Sequence, residues 1–225
     1  MTIFHVIDIE TTGLDPEKDR VVEIAARAFA SDNNQWLEDL QHFVNPGIPI
    51  PPENSAIHHL IDEDVAGALP IEEVAVVYCP DSVDYFVAHN AKFEQSFLPP
   101  GLGFVQPWLC TYRIAARLWP EAPSHGNQVL RYWLKLPVPR DIGMPHRALP
   151  DCIVTAEILK LALTLASIED MLQWSNEPVL KRTCTFGKHA GTAWSEIPKD
   201  YLRWILNNGS FDEDTTYTAR HYLNL

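Results

Sequence analysis

Apolar residues fall in short, nearly continuous runs over the first third of the chain and at helical spacing after it. "IFHVIDIE" (3–10) is such a run, closed by the turn-like "TTGLDPEKD", as expected of a buried strand. "VVEIAARAFA" (21–30) and "QWLEDLQHFV" (35–44) predict two further strands, antiparallel neighbours of the first. "NPGIPIPPENSA" (45–56) reads as a proline-rich loop, "IEEVAVVYC" (71–79) as helical and "DYFVAHN" (84–90) as a short strand. A helix starts in "AKFEQSF" (91–97), and "TYRIAARLWP" (111–120) and "NQVLRYWLKL" (127–136) are amphipathic helices. The strongest helix is "ALPDCIVTAEILKLALTLA" (148–166), whose Pro150 is tolerated in the first turn, where its missing N–H costs no bond. Strands first, with helices between and after, predict an α/β domain with a mixed sheet flanked by helices.

The pattern weakens from Ser167 to Val179. Beyond it, "TCTFGKHAGTAWSEIPKDYLRWILNN" (183–208) predicts a small strand–turn–strand–helix unit, its helix opening at Pro198. So short a segment buries little core alone and is expected to dock on the main domain. The expected division is a main domain over 1–166, a connecting segment over 167–180 and a small unit over 181–225.

Bulk properties narrow the class. No apolar run approaches the roughly 20 residues needed to span a bilayer, and "MTIFHVIDIE" lacks the basic start of a signal peptide. A cytoplasmic protein with no membrane partner is expected. The four cysteines form no C-x-x-C pair and read as reduced thiols. The net charge of -13 excludes a surface coated for gripping nucleic acid. Basic residues nevertheless gather between Cys110 and Arg140 and between Lys181 and Trp204. Those islands suit phosphate contacts or solvated helix faces equally.

Three segments carry candidate chemistry. In "DIETTG", Asp8 and Glu10 lie two apart on a strand and so project from one face. Asp8 interrupts an apolar run, where a lone carboxylate is costly unless paired or metal-bound. "HNAKFEQSF" (89–97) sets Glu94 one helical turn beyond Asn90. "HRALPD" sets His146 in a loop and Asp151 in the first turn of the long helix, where a carboxylate is favoured by the helix dipole with or without a metal.

In this order, spanning about 150 residues, the motifs resemble the DEDDh (DnaQ-like) group of 3′-to-5′ exonucleases, which has a ribonuclease H-like fold. The related tyrosine type would need Tyr four residues before Asp151, where this chain has Arg147. "AIHHLIDEDV", "CTYRIAARLWP", "TFGKHAG", "IPKDYLRWILNN" and the closing "HYL" are similar to the exodeoxyribonuclease X branch of that group. The resemblance implies two divalent cations, magnesium with manganese as a substitute, held by Asp8, Glu10, Glu94 and Asp151, with Asp8 bridging. It implies His146 as general base. Thr11, Thr12, Gly13, Leu14, His58 and Asn90 are the corresponding substrate-binding positions, Leu14 exposed as a wedge against the last base. The group usually has aspartate where Glu94 stands. The implied activity is release of nucleoside 5′-monophosphates from DNA 3′ ends, single- or double-stranded, in DNA repair or strand degradation. The alternatives are trimming of RNA 3′ ends, or a nucleic-acid- or polymerase-binding module with impaired catalysis.

Overall fold

The computed structural model describes residues 1–31 and 35–225. Contacts divide the chain into two compact units, Met1–Ser175 and Asn176–Leu225. The first is built on a sheet of five strands among the described residues: β1 (Ile3–Thr11), β2 (Val21–Ala30), β3 (Gln35–Phe43), β4 (Tyr85–Ala88) and β5 (Trp108–Cys110), in the order β3-β2-β1-β4-β5. β1 pairs antiparallel with β2 and parallel with β4, and β4 pairs parallel with β5. The mixed sheet and the presence of three leading strands match the expectation from sequence. β3, expected beside β1, instead pairs antiparallel with β2 at the edge of the sheet, because the short connection from β2 lets it fold back on that strand.

Both faces of β1 are covered, which explains its continuous apolar run. On one face Phe4 and Val6 join Ala25, Phe29, Val87 and Leu109 under the helices α5 (Thr111–Leu118), α6 (Asn127–Trp133) and α7 (Ala148–Leu163). On the other, Ile7 and Ile9 pack with Ile24, Tyr78, Phe86 and Phe97. The central helix α7 is buried on most of its circumference, from Ala148 and Cys152 through Ile158 to Ala162. The Cys152 thiol donates to the carbonyls of Val6 and Ala25, at 3.6 and 3.4 Å, which sets α7 close against the sheet.

Several elements differ from expectation. The proline-rich segment carries a short helix, α1 (Pro52–His58), with Pro52 pre-set for the first turn, and α2 (Asp62–Val65) follows it. The expected helix over 71–79 is α3 (Ile71–Val74) running into a 3₁₀ turn. α4 (Ala91–Phe97) is as expected, whereas β5 is a three-residue strand that the sequence pattern does not single out. Within the expected connector lies helix α8 (Ile168–Asn176). Its Ser175 hydroxyl accepts the N–H of Cys110 at 2.8 Å, fastening the helix to the end of β5.

In the second unit the two expected strands reduce to a single antiparallel bridge, Thr183 to Ala193. α9 (Lys199–Asn207) is the expected helix, and α10 (Glu213–Leu223) is an addition, capped by Asp212, whose side chain accepts the Thr215 N–H. Cys184, Trp194, Ile197, Leu202, Ile205 and Ala219 form this unit's core. All four cysteines are free thiols. No helix among the described residues is long and apolar enough to cross a membrane.

Candidate active site

The pleat of β1 puts Asp8 and Glu10 on the α7 face of the sheet, at the end of the strand, where Phe4 and Val6 would be succeeded by further apolar residues. Asp151, in the first turn of α7, lies over them. One carboxylate oxygen from each of Asp8, Glu10 and Asp151 lies within 4.8 Å of the other two. Glu94 reaches the same region from α4. It is 4% exposed, and its Oε2 is buried without a hydrogen-bond partner. Asp84, the nearest acidic alternative in sequence, accepts the Ile3 N–H at 2.8 Å, at the opposite end of β1.

Burial first, and mutual repulsion second, hold these carboxylates away from the ionised state. Burial, then the charges of Glu10, Asp151, Glu94 and Glu23, raise Asp8 well above the ordinary aspartate range. Burial and Asp151 push Glu10 up to about 8. Burial, with Glu10 adding to it, pushes Glu94 up to about 8. Asp151 is raised by burial, against the hydrogen bonds it accepts from Gln128 and the His146 backbone. An orphaned buried carboxylate oxygen beside three converging carboxylates is a donor set short of positive charge. Hard, oxygen-seeking divalent cations fit it.

Positioning groups surround the cluster. Gln128, on α6, donates to Asp151 Oδ1 at 2.7 Å, and is itself held through its Oε1 by Arg131 at 3.3 Å. The His146 N–H donates to Asp151 Oδ2 at 3.0 Å. His146 has φ 60, a left-handed conformation uncommon outside glycine, and its side chain is exposed. His146 also lowers Asp151 through its charge. The next residue, Arg147, forks onto Glu23, with Nε to Oε2 at 3.0 Å and Nη2 to Oε1 at 2.7 Å. Glu23 is wholly buried on β2, directly opposite Glu10, and also accepts from the Ala148 N–H and from Gln41. Burial alone would raise Glu23, but Arg147 and these donors outweigh it and leave its pKa lowered.

Glu23, Arg147 and Gln128 are absent from the sequence-based candidates. The signal for Glu23 was available: like Asp8, it is a carboxylate inside an apolar strand. Nothing in the local sequence distinguishes Gln128 from an ordinary surface position of an amphipathic helix.

The substrate-side candidates separate by exposure. Leu14 is 81% exposed and Asn90 is exposed at the start of α4. Thr11 and Thr12 are buried. Thr12 Oγ1 donates to Asp19 and accepts the Arg20 N–H. The Asp19 carboxylate fills the space that a Cβ at Gly13 would need. His58 is buried behind this turn, its Nδ1 accepting the Leu60 N–H at 3.1 Å and its ring set against the Thr11 backbone. The turn thus places Leu14 outward while His58 supports it from within.

A five-stranded mixed sheet whose central strand ends in paired carboxylates beneath the first turn of a long helix defines a ribonuclease H-like exonuclease domain. The chain belongs to the exonuclease family: that family's model, described as an exonuclease of the RNase T type, matches residues 5–159. It is 35% identical to Exodeoxyribonuclease 10 of Escherichia coli K12, over 98% of this chain and 99% of the relative. It is also 35% identical to a DNA polymerase III subunit epsilon-like protein of Rhodobacter capsulatus, over 68% of this chain and 23% of that protein. Among solved structures it is similar to exonuclease X in complex with 5′ overhanging duplex DNA, with a TM-score of 0.68 and 34% identity, covering 77% of this chain and 99% of that one. The nuclease domain of 3′hExo, a DEDDh family member solved with rAMP, shares the fold at 16% identity and a TM-score of 0.60, over 72% of this chain and 92% of that one. The protein is therefore a hydrolytic nuclease of the exonuclease family.

Proposed function

We propose that this chain is a two-metal-dependent 3′-to-5′ exodeoxyribonuclease that hydrolyses phosphodiester bonds at DNA 3′ ends and releases nucleoside 5′-monophosphates, in DNA repair or strand degradation. The observation that carries the reading is the convergence of Asp8, Glu10 and Asp151, with Glu94 buried beside them and one of its oxygens unbonded. The similarity to a nuclease solved on duplex DNA supports the choice of substrate.

Asp8, Glu10, Glu94 and Asp151 would hold two divalent cations, magnesium or manganese. Bound there, such ions offset charge on the phosphodiester and lower the pKa of a coordinated water. The chain's own residues do the rest. His146, exposed at the rim, accepts the proton of the attacking water at a ring nitrogen. Gln128 and the His146 N–H fix the two oxygens of Asp151, so that this carboxylate keeps one orientation. The Arg147–Glu23 fork anchors the loop that presents His146. Thr11, Thr12 and Gly13 shape the turn against the terminal nucleotide, and Leu14 wedges beside its base.

The test follows DNA and RNA labelled at either end, single- and double-stranded, with Mg²⁺ or with EDTA. Expected are single nucleotides shed from DNA 3′ ends, loss of cleavage in EDTA, and near-complete loss for Asp8→Asn with DNA binding retained. Release from 5′ ends, cleavage that survives EDTA, or Asp8→Asn activity within about tenfold of the unsubstituted chain would overturn the reading, since Asp8 would supply one of the charges that hold the ions.

A further inference from the structure

We propose that the second unit carries a non-catalytic binding site for single-stranded nucleic acid, formed by Tyr201 and Trp204 of α9 with the basic turn at Lys188. The inference goes beyond the carboxylate cluster and stands whether or not that cluster cleaves DNA.

A unit of this size is short of apolar area, so its large aromatic rings are expected inside its core. The structure buries Trp194 but leaves Trp204 47% exposed. α9 sends Leu202 and Ile205 inward, while Tyr201 and Trp204, three residues apart, stack side by side at 5.0 Å with their planes 28° apart. The pair is held rigidly. The His189 ring meets Tyr201 at 4.5 Å, edge to face. Phe211 meets Trp204 at 5.5 Å and in turn packs on Phe186 at 4.8 Å. Gly187, at φ +60, lets the turn close on Tyr201: a Cβ there would lie 2.5 Å from the Tyr201 hydroxyl. Half of a large ring is thus kept in water by an arrangement that fixes its orientation.

The charge around the pair selects the ligand. Lys188 Nζ stands 5.3 Å from the centre of the Tyr201 ring, and its side chain is exposed. Lys199 and Arg203 are exposed on the same helix, with Asp200 between them and Glu196 just before it. Lys181 is committed to Asp212 at 2.9 Å. From Lys181 to Trp204 there are five basic and two acidic residues, in a chain whose net charge is -13. A cation beside a rigid, half-exposed aromatic pair suits a strand that offers phosphates and unpaired bases together, because stacking accepts any base and the cation follows the backbone. Duplex DNA hides its base faces and fits less well.

The experiment uses the full chain in EDTA and a fluorescent, closed circle of single-stranded DNA, which has no 3′ end for the carboxylate cluster to engage. Anisotropy should report binding, and Trp204→Ala should weaken it about tenfold, with Trp204→Phe retaining most of the affinity. Lys188→Gln should reduce the salt dependence by about 0.7 in log–log slope, the contribution of one phosphate contact on a single strand. This substitution reads the same site through an exposed side chain, so it remains informative if Trp204→Ala fails to fold. A closed duplex circle should compete weakly. Absence of binding to the single-stranded circle, indifference of that binding to both Trp204→Ala and Lys188→Gln, or equal competition by the duplex circle would each overturn the proposal. Failure of end-directed cleavage in the same chain would instead count against the nuclease mechanism.

Discussion

Substituting Arg147 by methionine would isolate one of the strongest electrostatic commitments in the catalytic unit. Glu23 is 0% exposed and receives two of its hydrogen bonds from the Arg147 guanidinium, at 3.0 and 2.7 Å. The Ala148 N–H and Gln41 would remain, but the counter-charge would be gone. Removing one partner of a buried pair costs roughly 3–5 kcal/mol, because the other charge stays behind. The Arg147 side chain is 22% exposed, so the lower end, about 3 kcal/mol, is expected. Urea unfolding in EDTA, followed by far-UV circular dichroism, would read this as a lower midpoint at constant slope. The pH dependence gives a second check. In the intact pair the folded-state pKa of Glu23 is lowered, so its stabilisation is present above the ordinary carboxylate value and fades as the pH falls through the folded one. In Arg147→Met, burial is left to dominate and the folded-state pKa rises above the unfolded value. Acid then favours the variant's fold, and its deficit should shrink between neutrality and about pH 5. A Glu23→Gln, Arg147→Met double variant should lose less than the two single losses combined. The reasoning fails if Arg147→Met lies within about 0.5 kcal/mol of the unsubstituted chain at pH 7.5, the range of an ordinary surface change. It fails equally if the deficit is the same at pH 5.

Three further outcomes follow from the site. His146→Ala should lower turnover by roughly 10²–10⁴ with little change in DNA affinity, measured by single-turnover cleavage; an unchanged rate would remove His146 from proton transfer. Glu94→Gln should be strongly impaired across a Mg²⁺ titration while Glu94→Asp keeps substantial activity; a fully active glutamine variant would mean that Glu94 holds no ion. With no metal present, the raised carboxylates favour folding at low pH, and this contribution is lost as the pH rises from the ordinary value of 4.5 through about 8. Thermal melts in EDTA should therefore fall across that interval, and millimolar Mg²⁺ should recover most of the loss above pH 8, with protons released on binding by calorimetry.

The features most legible in the sequence are those with a clear period or an anomalous residue. β1, β2 and α7 stand out because sustained apolar runs leave few alternatives. Asp8 and Glu10 stand out because a two-residue spacing on a strand fixes a common face. β5 escapes because three buried residues carry no period. α8 and α10 escape because each buries only a few residues, such as Met171 and Ser175 in one and Thr215, Thr218 and Ala219 in the other. The tail's two strands fail because a sheet needs several paired residues, and Thr183 and Ala193 supply one bridge. The Glu23–Arg147 fork links positions 124 residues apart, which no local reading of either segment reveals.

The register of β1 against β2 has a consequence for how this gene can change by insertion and deletion. Asp8 stands opposite Ala25, whose methyl leaves room for α7, and Glu10 stands opposite Glu23. Side chains alternate faces along a strand, so gaining or losing one codon before Asp8 would send both acidic groups to the Ile7 side and set Ile9 beneath Asp151. Such a change leaves hydrophobicity and length almost untouched. It would nonetheless exchange the acidic and apolar sides at the end of the strand, so this segment should accept apolar substitutions far more readily than frame-preserving insertions or deletions.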